Sequence, residues 1–458
     1  MRPLSTFALA AALIAPVSAA AQQTAAQYTL PVEYHKLDNG LKVVLSRDTT
    51  APTAVIAVYY NIGFRIEPKD RTGFAHLFEH MLFQGSEHLG KNEFVSLVMS
   101  NGGVLNGSTR FDFTNYFEVV PAHTVETMLW AEADRMWGLN ITQENLTNQQ
   151  GVVKSEVRVN VLNQPYGGFP WLTLPQHANT NWYNAHNFYG DLAHLDAATL
   201  EDVRQFFKTF YSPGNAVVVV RGDIDTAQTL RWIKSYFGGI PAQTVPAMPD
   251  ISEPRQEQEK RVEQEDPLAT RPALAVGYHH PKRNTPEFYA MGLIDQLLVQ
   301  GNDSRLYQAL VQKQGLTGEV TGGANVLLGN MFNINGPTLW TAFLFHDADK
   351  TSDQILGALD AEIEKLRTTP VSAEELSRAL IKRRSSIYAE MEQFVGFGAT
   401  DLLASYALFD DDPAMVNRLE GEFAKVTPEL ILKTAQEYLR STNRTILIVK
   451  PGKKGDEQ

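Results

Sequence analysis

The chain has no cysteine among its 458 residues. That excludes disulfides, thiolate nucleophiles and thiolate metal sites, so any metal must be held by histidine and carboxylate. A secreted chain of this length needs no disulfide, because its core is large enough. A basic surplus is also missing. The formal net charge is −12, which leaves no excess of cations to neutralise phosphates and argues against nucleic acid as a partner. Long apolar runs are scarce. Past the first 21 residues nothing approaches the roughly 18 apolar residues of a membrane span. What remains is the composition of an ordinary globular protein, long enough for two or three domains.

The N-terminus stands apart. "MRPLSTFALAAALIAPVSAAA" has a basic start at Arg2, an apolar stretch from Phe7 to about Val17, and small residues Ala19, Ala20 and Ala21. That pattern predicts a signal peptide over 1–21 and export across the inner membrane to the periplasm, with no membrane span after cleavage. A short N-terminal anchor is the alternative reading.

Residues 22–240 predict an α/β or α+β domain. "KVVLSRD" and "AVIAVYYNIG" read as strands, as does the alternating "RFDFTNYFEVVP". Helices are expected over 72–84, 91–101, 124–137 and 142–160, and "NAVVVVRGDID" reads as a buried strand whose Asp225 caps the next helix. Residues 241–268, rich in Pro, Glu and Gln, read as a linker. A second half is expected over 269–450, closing on "RTILIVK", before a polar tail at 451–458.

The two halves read as duplicates, each a mostly antiparallel sheet packed with helices. "FEHMLFQGSEH" aligns with "IDQLLVQGNDS" at a constant offset, so Gly85 matches Gly301, Gln84 matches Gln300 and Leu82 matches Leu298. Glu79, His80 and His76 become Asp295, Gln296 and Gly292. A polar cluster present in one copy of a duplicated scaffold is not required for packing.

That cluster sits in "TGFAHLFEHMLFQG", residues 72–85. On a helix, His76 and His80 lie about 40° apart and one turn apart, with Glu79 about 60° to the other side of His76. Two imidazoles at this spacing can grip one zinc ion, with a carboxylate beside the open coordination position to take a proton from an attacking water. The pattern is H-x-x-E-H, an inverted form of a zinc-peptidase motif. The plainer alternative is two histidines decorating a helix beside a surface glutamate. The apolar neighbours argue against it. For a third ligand, periodicity in "NLTNQQGVVKSEVRVNVL" turns Glu156 inward with Gln149, Val152 and Val153. Glu118, Glu126, Glu132 and Glu144 remain competitors on this reading.

Together these motifs resemble the M16 metallopeptidases, the inverted zincins. The resemblance implies that His76, His80 and Glu156 bind zinc, that Glu79 is the general base, and that Asn106 of "NGGVLNGSTRFDFTNYF" lies beside bound peptide. It also implies a chamber that admits unfolded peptides. Gln149 stands where the family usually has a glutamate. An arginine and a tyrosine of the family's second half align with Val311 and Gly318, while Arg305 and Tyr307 are wrongly spaced. The expectation is therefore a zinc endopeptidase completed by a homologous subunit, in a heterodimer or homodimer. A non-catalytic structural or peptide-binding subunit is the alternative.

Three further features carry expectations. His88, His123 and His186 read as surface or capping histidines. "YHHPKR" at 278–283 offers a second metal site only weakly, since adjacent residues on a strand face opposite ways. The aromatics of "FDFTNYF" either line a cleft or pack a strand, and "VLNGSTRF", if it is an exposed edge, could pair with a peptide's main chain.

Overall fold

A computed structural model describes residues 28–326, 328–393 and 398–452. The expected signal peptide lies outside the described residues, as do residues 453–458 of the expected tail.

Two sheets form. The first contains β1 (Glu33–Lys36), β2 (Lys42–Arg47), β3 (Thr53–Tyr60), β4 (Val104–Thr109), β5 (Thr114–Pro121) and β6 (Ala216–Gly222), in the order β1-β2-β6-β3-β5-β4. The second contains β7 (Lys260–Asp266), β8 (Ala273–His279), β9 (Thr321–Ala324), β10 (Leu339–Phe345) and β11 (Arg444–Pro451), in the order β7-β11-β8-β10-β9. Setting β1 aside, the two orders are the same. In each sheet one neighbouring pair is parallel, β2 with β6 and β7 with β11, and the others are antiparallel. The duplication is therefore visible in topology. Gly85 and its counterpart Gly301 both adopt positive φ, 112° and 77°.

β6 reads as a continuous apolar run because the first sheet is covered on both faces. Val218 and Val220 pack with Val43, Leu45, Ile56 and Val58 in one core. Val217 and Val219 pack with Val44, Val55 and Ala57 in the other, which also holds Leu402 and Tyr406 of the second half's helix Gly398–Asp410. The second sheet is covered in the same reciprocal way. Leu174 and Ala178, from the first half's helix Thr173–Ala178, pack on Ala275, Leu447 and Val449.

The stretch expected as linker contains a strand. β7 lies within 241–268 and pairs in parallel with β11. Its residues alternate half-buried and exposed, as an edge strand does, but three of the four positions that turn inward are polar. Composition therefore concealed the period.

The first four helices are α1 (Phe74–Met81), α2 (Glu93–Ser100), α3 (Val125–Trp137) and α4 (Gln143–Val157), of which α1 and α4 form the site. α4 opens on Thr142, whose side chain accepts from Asn145 N, and it passes into a π-helical turn at Arg158–Leu162. π-turns within helices often accompany functional sites. Asp225 caps the helix Thr226–Phe237, accepting from Gln228 N.

Candidate metal centre

α1 is short and mostly buried. Phe74, Leu77, Phe78 and Met81 enter the first core. The chain turns into the helix at Gly73, with φ 84°, a left-handed conformation that favours glycine. The helix thus presents His76, Glu79 and His80 on its remaining side, where α4 packs on it and β4 passes close by.

Glu156 of α4 reaches both imidazoles. Its Oε2 lies 3.7 Å from His76 Nε2 and 3.3 Å from His80 Nε2. Its other oxygen accepts from Tyr189 OH at 3.2 Å and from Asn160 Nδ2 at 3.5 Å. One oxygen is anchored and the other faces the histidines. Among the described residues, His76, His80 and Glu156 form the one group of three whose ligand atoms could hold a metal ion. Ligands about 2.0–2.2 Å from a tetrahedral zinc stand about 3.3–3.6 Å from one another. The His80–Glu156 separation of 3.3 Å falls in that range and the His76–Glu156 separation of 3.7 Å lies just above it, and two nitrogens with one oxygen is a donor set that leaves a fourth position open. The residues fit zinc.

The electrostatics follow from burial and from these contacts. Burial holds His76 down to about 4, with the His80 charge adding to the effect. At His80, burial opposes protonation, but the hydrogen bond to Glu156, the charges of Glu79 and Glu156 and a hydrogen bond to Gln149 outweigh it and raise the group. Burial pushes Glu156 up, yet the His80 hydrogen bond and the two histidine charges carry it below the usual carboxylate range.

Glu79 stands beside the cluster. Burial raises its proton affinity against the pull of a hydrogen bond from Thr109. That bond, Thr109 Oγ1 to Glu79 Oε2, is 2.8 Å long. β4 runs past the carboxylate, and a Cβ on Gly107 would come within 3.2 Å of Glu79 Cγ. Asn106 is exposed on β4, its Oδ1 accepting from Gly107 N. β4 ends the sheet and pairs with β5 alone among the described strands, so its outer edge is open.

The other candidates lie elsewhere. Glu118 and Glu132 are buried in the core with Arg135, whose Nη1 is 3.1 Å from Glu132 Oε1. Glu126 accepts from Tyr236 OH, and Glu144 is exposed at the start of α4. Val152, expected to face inward, is 41% exposed, while Gln149 and Val153 are buried. Arg305 pairs with Glu375 at 2.8 Å, and Tyr307 OH accepts from Gln312. The aromatics Phe111, Phe113, Tyr116 and Phe117 are buried and pack the strand. His279 and His280 gain no third ligand among the described residues. His88 is exposed beside Asp134, and His123 is exposed. His186 is a capping residue rather than a surface one: it ends the helix Trp182–Ala185, its backbone N–H bonding Trp182 O, and its side chain is 7% exposed and bonds Phe64 O.

No periodicity or motif marks Thr109, Tyr189 or Gly107 as site residues. Each reaches the site from a strand edge or a loop, where periodicity says nothing of distant contacts.

Residues 42–167 match the family described as "Insulinase (Peptidase family M16)", and residues 197–382 match the "Peptidase M16 inactive domain". The chain belongs to the M16 peptidase family. A zinc protease named PqqE, from Helicobacter pylori, is 24% identical over 441 residues, covering 95% of this chain and 96% of that protein. The fold is that of a crystallised Helicobacter pylori protease, with a TM-score of 0.84, 24% identity, and coverage of 92% of this chain and 100% of the other. The periplasmic protease PqqL from Escherichia coli shares it at a TM-score of 0.75 and 19% identity, with 93% of this chain covering 48% of that longer one. In this M16 chain the match to the inactive domain covers most of the second half's helical and strand framework before residue 382. There Asp295 replaces Glu79. It is buried, accepts from Trp340 Nε1 and Gln300 Nε2, and burial pushes it up to about 6.

Proposed function

We propose that this chain is a zinc-dependent endopeptidase of the bacterial periplasm, acting on extended peptides. The observation that carries the reading is the convergence of His76 Nε2, His80 Nε2 and Glu156 Oε2, with the Glu79 carboxylate alongside. His76, His80 and Glu156 would hold the metal, with Gln149 steadying His80. Bound zinc supplies a Lewis acid for the scissile carbonyl and lowers the pKa of water toward about 7. Glu79 takes the proton from the attacking water and delivers it to the leaving amine. Thr109 fixes one oxygen of Glu79, so the other is free to face the substrate. The open edge of β4 offers main-chain donors and acceptors to an extended peptide, with Asn106 beside it. The periplasmic assignment rests on the leader-like residues 1–21 and agrees with the periplasmic PqqL neighbour.

Donors for the developing oxyanion are missing at Val311 and Gly318, and Arg305 and Tyr307 are engaged elsewhere. A homologous M16 subunit, or a second copy, supplies them in this reading. The PqqL chain, about twice as long as the segment matched here, supports a unit built from two such lengths. A second reading, a non-catalytic peptide-binding subunit, is favoured by Gln149 and by the missing donors.

The test is hydrolysis of a quenched-fluorescent peptide library by the chain alone, by the chain isolated with its native partners, and by Glu79→Gln. We expect Glu79→Gln to lose about 10²–10⁴-fold in kcat. Activity confined to the co-isolated sample supports the partner. An equally active Glu79→Gln would contradict the role given to Glu79, and no activity in any sample favours the second reading.

A further inference from the structure

The start of α1 depends on a carboxylate from outside the helix. Gly73, the residue before the helix, offers no side chain to cap it, so the first amides must find acceptors elsewhere. Glu67 provides them. Its Oε2 accepts from Gly73 N at 2.9 Å and its Oε1 from Ala75 N at 2.5 Å. Glu67 is 1% exposed, and an anion at this end of a helix is favoured by the helix dipole.

The carboxylate has its own support. His186 Nε2 lies 3.7 Å from Glu67 Oε2 and 2.6 Å from Phe64 O, while Nδ1 faces Trp182 O at 3.0 Å. The ring stacks on Trp182 at 4.2 Å. Both nitrogens therefore face acceptors, and the ring is held in place from two directions. The same turn of backbone is closely packed from outside: a Cβ on Gly190 would come within 2.3 Å of Gly73 N.

His76 follows Ala75 directly, and it is the most deeply buried of the three candidate ligands. Resting on the zinc-site reading above, we propose that Glu67, backed by His186, is a positioning residue. It locks the first turn of α1 and thereby sets His76 for the metal. Glu67 touches neither metal nor substrate. It acts through the two amides that precede His76.

Glu67→Gln separates this from simple packing. The variant keeps the shape of Glu67 but must point an NH₂ at one of two N–H donors. Two measurements decide. In metal-free protein, amide exchange at residues 73–78 is expected to quicken about tenfold or more, with protection elsewhere unchanged. Zinc affinity, by competition with a chromogenic chelator, is expected to fall about tenfold or more. Should Glu67→Gln fail to fold, Glu67→Asp, too short to reach both amides, is expected to show the same pattern in weaker form. Unchanged protection at 73–78, or protection lost evenly across the first half, would overturn the proposal. So would a loosened first turn with unchanged zinc affinity. Wild-type protein that takes up no zinc would contradict the proposed function, and the exchange comparison would still decide whether Glu67 locks the turn.

Discussion

Gln149 hydrogen-bonds His80 from one turn of α4 while Glu156, two turns further on, faces the same imidazole. A carboxylate at the first of these positions would make His80 a stronger ligand. Gln149→Glu is therefore expected to slow zinc loss to a chelator by about tenfold, the scale of such outer contacts. An unchanged rate would mean that the glutamine already serves. Thr109 gives a complementary prediction: Thr109→Val should lower kcat about tenfold with zinc content unchanged, and Thr109→Ser should restore it. At this scale the sequence was informative wherever the ligands share a helix. The 3.6-residue period places His76, Glu79 and His80 together and turns Glu156 inward. It could not separate Glu156 from its competitors without the resemblance, because burial alone also describes Glu118 and Glu132. Those two lie in the core with Arg135.

β4 brings a main-chain edge and a hydroxyl to Glu79, and it does so at Gly107. A Cβ there would meet Glu79 Cγ at 3.2 Å and Tyr116 Cδ1 at 3.3 Å. Gly107→Ala should displace the carboxylate and lower kcat about tenfold, with little change in thermal stability, since the strand is an edge and alanine costs it no entropy. A strong loss of stability with normal kcat would contradict that. α1 is held by its apolar side instead. Leu77, fully buried, should cost about 2–5 kcal/mol when cut to alanine, measured by denaturant unfolding. Most elements were legible because they carry a period or a cap, as Thr142 and Asp225 do. β7 was not. Its inward positions are Lys260, Val262, Gln264 and Asp266, and what makes it a strand is parallel pairing to β11, about 185 residues later.

The halves are joined through buried polar groups. Arg65, 0% exposed, pairs with Asp112 at 2.5 Å, and Asp112 accepts from Asn335 N and Gly336 N of the second half. Asp401, on Gly398–Asp410, accepts from Tyr59 OH at 3.0 Å and from Asn333 at 3.1 Å. Burial pushes Asp401 up to about 7 from the usual 3.8. The folded state thus holds a proton that the unfolded chain releases. The stability contribution is complete below about pH 3.8 and is lost as pH rises through about 7. Asp401→Asn stays neutral and can satisfy both partners. It should therefore gain stability relative to wild type between pH 4 and 7, on the order of a few kcal/mol. A pH-independent difference would contradict the burial account. The duplication was legible because an offset preserves Gln84, Gly85 and Leu82. The reciprocal covering of the sheets was not, because nothing local to "NAVVVVRG" says which helix covers it.

The whole account rests on a metal at one place. Its most direct test is the zinc content of the purified, metal-reconstituted chain, set beside His80→Ala and Glu156→Ala. The account predicts one zinc per chain in the wild type and in Glu79→Gln, and loss of stoichiometric zinc in His80→Ala and Glu156→Ala with folding intact. Zinc absent from the wild type, or retained in full by both ligand variants, would contradict it.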